Sequence, residues 1–170
     1  MAGRVGMVLV IAGSLLAVAL VVRTNGSVTH EPRVKANLAF TLEDMNGAKV
    51  DLQSYAGKPL VINLWATWCG PCRLEMPQLV ELAGKFKDKG LTVVGISVDD
   101  KPDDIRQFAA EYKVTYPMLV GLGQDALLRA LGYEDTVPIS VLIRADGTVH
   151  SSVTGIMTTD DWEKRIRELF

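Results

Sequence analysis

The chain has 170 residues, a formal net charge of −2, and 18 Lys and Arg spread along its length. That is room for one domain of ordinary size, and without a basic stripe nucleic acid is not an expected partner. The two histidines, His30 and His150, are too far apart in sequence to read as a ligand pair and are expected to be solvated.

Residues 5–22 form an uncharged run of 18 residues between Arg4 and Arg23. As a helix it would span about 27 Å, close to the roughly 30 Å of a bilayer core. It has no polar face, as a soluble helix would. Two readings fit: an uncleaved membrane anchor, or a cleaved secretory signal with Ala17-Val18-Ala19 as the cleavage site. Its length favours the anchor. Either way the short N-terminus stays in the cytoplasm and the rest is exported. The expected organisation is an anchor or signal over residues 1–23, a tether over 24–36 and a folded domain over 37–170.

Within the domain, Phe40-Thr41-Leu42 and Val50-Asp51-Leu52 flank an Asn46-Gly47 pair, which predicts a hairpin. Residues 59–66 (PLVINLWA) and 91–98 (LTVVGISV) predict strands buried on both faces. A helix is expected from Cys69, with Met76, Leu79, Ala83 and Phe86 along one side and an end at Lys89-Gly90. Pro77 lies inside it and should kink it. A second helix is expected over 103–112, with Asp99, Asp100 and Pro102 as start signals. A short strand at 116–120 and a short helix at 124–131 follow. Residues 139–143 and 149–153 predict a hairpin turned by Asp146-Gly147, and a last helix opens at Thr158-Thr159-Asp160. Strand–helix–strand units require parallel pairing, and the late hairpin adds antiparallel edge strands. The expected fold is therefore an α/β mixed sheet with helices on both faces.

The chemistry sits at Trp68-Cys69-Gly70-Pro71-Cys72, between a buried strand and a helix. These two cysteines close a loop too short to staple a fold. Zinc would need about four ligands, and no second cysteine pair or histidine pair supplies them. Redox chemistry is the stronger reading. A helix N-terminus lowers a thiol's pKa, because its unpaired N–H groups favour negative charge. Cys69 occupies that position, and Cys72 follows about one turn on, within disulfide reach. Pro71 suits a first turn that needs no N–H, and Gly70 lets a partner chain come close. Cys69 would attack a client disulfide and Cys72 would then release the product. Glu75 shares the Cys72 face of the helix, where a carboxylate could take that thiol's proton. Such an exchange asks for no cofactor and no metal.

The stretch from Leu64 to Pro77 (LWATWCGPCRLEMP) resembles the thioredoxin superfamily, and within it the membrane-anchored TlpA/ResA-like branch. The pattern W-C-x-P-C-x-x-E-x-P matches in full, and the resemblance spans roughly residues 36–170. It implies that Glu75 tunes the thiols. It also implies that Pro138 is the cis proline facing the disulfide, with Val137 before it offering backbone to a bound peptide. A proline starting a strand should also lie at a sheet edge. Where thioredoxin has a buried Asp before the motif, this chain has Asn63, which cannot accept a proton. Residues 101–132 resemble the insertion that shapes partner recognition in this branch.

The function that follows is an extracytoplasmic thiol–disulfide oxidoreductase acting on client proteins, with the Gly-Pro dipeptide leaning towards reduction. The resemblance implies a membrane thiol-electron donor, and clients of the apocytochrome c or copper-site assembly kind. Two alternatives stand beside it. One is a thiol peroxidase of peroxiredoxin type, against which the paired cysteines speak. The other is a non-catalytic assembly factor that holds client thiols or copper.

Overall fold

The computed structural model describes residues 34–170. The apolar run 5–22 and the tether up to residue 33 lie outside the described residues. Residues 34–36 run beside the 144–149 turn, where Ala36 N–H donates to Gly147 O and Val149 N–H to Val34 O. Among the described residues no helix is long and apolar enough to cross a membrane.

The first hairpin pairs β1 (Thr41–Glu43) with β2 (Lys49–Asp51) as a small sheet of its own. Asp44 Oδ1 accepts from the Asn46 and Ala48 amides, and Gly47 takes φ +85°, which a side chain would resist. The main sheet has five strands in the order β5-β4-β3-β6-β7. β3 (Leu60–Trp65) and β4 (Thr92–Ser97) are parallel, as are β4 and β5 (Met118–Val120). β6 (Ile139–Ile143) runs antiparallel to both β3 and β7 (Val149–Thr154). β3 and β6 are buried at every position, so both faces of the sheet's centre are covered.

Among the described residues, α1 (Gly70–Phe86), α2 (Pro102–Glu111) and α3 (Asp125–Ala130) connect these strands, and α4 (Thr159–Arg167) follows the last of them. α1 buries Cys72, Glu75, Met76, Leu79, Leu82 and Phe86 and runs as one element through Pro77. Gly95 in β4 has no room for a side chain. A Cβ there would lie 2.6 Å from Met118 Sδ and 3.2 Å from Trp65 Nε1. The glycine thus lets the Trp65 indole and the β5 edge close over the strand.

Three expectations are corrected. Pro138 does not lie at a sheet edge, and of the late hairpin's two strands only β7 does. β6 is an interior strand, and the proline escapes the ladder by sitting one residue before its start. Asp99 and Asp100 do not cap α2, whose N-cap is Lys101 with no side-chain cap bond. His150 is not solvated: it is largely buried, and its Nε2 lies 2.9 Å from Glu168 Oε2.

Candidate active site

The end of β3 delivers the motif to the start of α1. Cys69 is the helix N-cap, with extended backbone, and its Sγ accepts the Cys72 N–H at 3.1 Å. Sulfur here takes the place that a Ser or Asp oxygen fills in most caps, so developing charge on Sγ meets an N–H already aimed at it. Cys69 and Cys72 are joined as a disulfide with Cα atoms 5.2 Å apart. Pro71 lies in the first turn. A Cβ on Gly70 would meet nothing within 4 Å, so the surface beside Cys69 is left bare.

The disulfide is not as open as the motif alone suggests. Cys69 is 3% exposed and Cys72 2%. Val137 O lies 3.6 Å from Cys69 Sγ, from the residue preceding Pro138 across a cis peptide bond. What projects instead is Trp68, 61% exposed, with Leu74 further along the helix. A client must therefore reach the sulfur over an apolar rim.

Glu75 sits one turn beyond Cys72 and is 1% exposed. Burial pushes its carboxyl up to about 7. The Asn63 amide, the Met157 backbone N–H and the Trp162 indole oppose that shift. The Asn63 bond is the one with full hydrogen-bond geometry, Nδ2 donating to Oε2 at 3.1 Å. Glu75 Oε1 and Trp162 Nε1 are both buried, and neither makes a hydrogen bond of full geometry among the described residues. Tyr116, also buried, donates its hydroxyl to Met76 Sδ. Burial and then the nearby Glu75 charge raise its pKa, so it stays protonated.

A family model, AhpC/TSA, matches residues 34–152. ResA, a thiol-disulfide oxidoreductase of Bacillus thuringiensis subsp. konkukian, is 30% identical over 130 residues, covering 76% of this chain and 74% of that protein. The chain belongs to the AhpC/TSA family, on its ResA-like branch. The ResA of Geobacillus kaustophilus is 32% identical over 130 residues, with the same coverage. Among solved structures, a secreted Mycobacterium tuberculosis disulfide oxidoreductase homologous to E. coli DsbE superposes with TM-score 0.70 at 29% identity. It covers 78% of this chain and 97% of its own. A thiol:disulfide interchange protein of Chlorobium tepidum gives 0.73 at 26% identity, over 82% and 98%. The protein is thus a thiol-disulfide oxidoreductase of ResA/DsbE type with a thioredoxin-like fold, carrying its redox pair at Cys69 and Cys72.

The fold brings Cys69, Cys72, Glu75, Val137 and Pro138 to one end of β3 and β6. It also recruits residues that sequence reasoning missed. Asp100 is 7% exposed and accepts from the Thr67 N–H at 2.8 Å, the Thr67 hydroxyl and the Ser97 hydroxyl. Arg73 Nε donates to Thr67 O at 2.9 Å, so Thr67 is held from both sides. Trp68 Nε1 donates to both oxygens of Asp99 at 3.0 Å. The sequence signal was the acidic pair that follows a buried strand, which has two uses that look alike: helix start or loop anchor.

Removing the Asp100 carboxylate strands a buried donor on Ser97 and two part-buried donors on Thr67. Asp100→Ala is therefore expected to lower the unfolding free energy by about 2–4 kcal/mol in urea titrations. Asp99→Ala, at an exposed bond, should cost under about 1 kcal/mol. Equal effects of the two changes would contradict the clamp at Thr67.

Proposed function

We propose that the protein is an extracytoplasmic reductase of client-protein disulfides, held at the membrane by residues 5–22. The observation that carries the reductase reading is the placement of Cys69 Sγ on a helix-end N–H, with a buried carboxyl one turn beyond Cys72. The reduced protein attacks with the Cys69 thiolate. A bond forms from Cys69 Sγ to one client sulfur, the client disulfide breaks, and the other client sulfur leaves as a thiolate that takes a proton from water. Cys72 then passes its proton to the Glu75 carboxylate and attacks Cys69 Sγ. That restores the Cys69–Cys72 disulfide and frees the second client thiol, so two electrons have moved to the client. Trp68, Gly70 and Pro71 shape the approach, and the Val137 backbone beside Pro138 lies against the attacking sulfur. A membrane thiol donor returns two electrons to the pair.

Export is supported by the apolar run 5–22 and by the solved relative described as secreted. By resemblance, apocytochrome c haem-site thiols or copper-site cysteines are the client classes. Equilibration of the pair with glutathione redox buffers tests the direction of transfer. A potential below about −200 mV supports a reductase, and one near −120 mV would make the protein an oxidant instead. Mass spectrometry of mixed disulfides trapped in cells by Cys72→Ala identifies the clients. The AhpC/TSA match keeps a peroxidase as the second reading. Consumption of hydrogen peroxide at rates rivalling disulfide exchange would favour it.

A further inference from the structure

Asn63 is a polar residue in the middle of a fully buried strand, where an unpaired amide would be costly. It stands directly opposite Ser140 in the antiparallel register of β3 and β6. Its Nδ2 carries two hydrogens, and both are engaged: one on Glu75 Oε2 at 3.1 Å, the other on Ser140 Oγ at 3.0 Å. The orientation is set by that network, since a flipped amide would turn its oxygen on the carboxylate.

We propose that Asn63, braced by Ser140, is a positioning residue that pins Glu75 Oε2 and so reserves Oε1 as the atom carrying the proton exchanged with Cys72. The inference rests on the proton-transfer role given to Glu75 above. An amide neither gains nor loses a proton at working pH, so Oε2 remains an acceptor whether Glu75 is ionised or not. The acid hydrogen is then left to Oε1, which is buried and makes no hydrogen bond of full geometry among the described residues.

The groups facing the carboxyl come from every element around it. Asn63 lies on β3 and Ser140 on β6. Tyr116 comes from the segment before β5, Met157 offers a backbone N–H, and Trp162 offers its indole from α4. On α1 itself, Cys72 lies one turn before, with Cys69 beyond it. The titratable ones are Tyr116 and the two cysteines. Tyr116 is held protonated by burial and spends its hydroxyl on Met76, so near neutral pH only the thiols can trade a proton with Glu75.

Loss of the amide donor removes a bond that favours the charged carboxylate. In the full-length protein, Asn63→Ala should move the Glu75 carboxyl titration upward by about one pH unit, read by carbon-13 NMR of labelled glutamate. The pH midpoint of mixed-disulfide resolution, read by stopped flow, should move with it. Ser140→Ala loosens the brace and should give a smaller shift of the same sign. Asn63→Asp puts a second carboxylate there and should give a larger one. Should Asn63→Ala fail to fold, Ser140→Ala and Asn63→Asp decide. An unmoved Glu75 titration in the folded variants overturns the proposal. Glu75→Gln separates the two claims. If its resolution profile keeps a limb near pH 7, the role of Glu75 falls. If that limb vanishes while Asn63→Ala leaves the midpoint in place, only the positioning role falls.

Discussion

Cys69→Ser should abolish disulfide exchange, by at least about a thousandfold in turnover of a model disulfide. Cys72→Ser should instead leave a protein that attacks once and stays joined to its client. The two cysteines differ little in exposure, 3% against 2%, so exposure does not assign their roles. Position on the helix does. Cys69 caps α1, and its Sγ receives the Cys72 N–H at the positive end of the helix. Cys72 lies inside the first turn, with Glu75 one turn beyond. Charge is thus favoured on the first sulfur, and in the proposed mechanism Glu75 removes the proton of the second. Single-turnover mixing with mass analysis of the adduct checks the assignment. Adduct formation by the Cys69 variant, or sustained turnover by the Cys72 variant, would reverse it.

Glu75→Gln should flatten the pH dependence of stability in the oxidised protein and raise stability at alkaline pH. The folded carboxyl holds its proton up to about pH 7, while an unperturbed one releases it near 4.5. Below pH 4.5 both states are protonated and nothing separates them. Between the two values only the unfolded chain ionises, so the folded state loses ground as pH rises. Above pH 7 both are ionised, and the buried charge leaves a penalty of about 3 kcal/mol. Glutamine carries no charge to bury, though its amide will not satisfy every neighbour. Urea midpoints should therefore agree with wild type near pH 4 and exceed it at pH 8. Parallel curves for the two proteins would show that Glu75 does not carry the raised pKa. The same substitution should slow resolution of mixed disulfides near pH 7 by about a hundredfold.

Both expectations bear on how a thioredoxin-like fold manages protons without an acid on its central strand. Asn63 takes that place and donates to Glu75 instead of titrating. A group that ionises near neutral pH is thereby moved from the sheet to the helix that carries the thiols.

The amino-acid sequence alone determined the elements and the reactive pair. Apolar, β-branched runs at 59–66 and 91–98 suit strands buried on both faces, and a cysteine pair at a strand–helix junction has few uses besides redox exchange. Local chemistry sufficed there, because each feature depends on residues adjacent in the chain. What only the tertiary structure decided is who touches whom. Asp100 grips Thr67 across 33 positions, and Asn63 meets Ser140 across 77. β6 became an interior strand because it pairs with both β3 and β7, which no pattern in its own residues could announce. The covering of Cys69 by Val137 O has the same origin. Such contacts are set by register and packing between distant segments, and a single chain read in order carries no record of them.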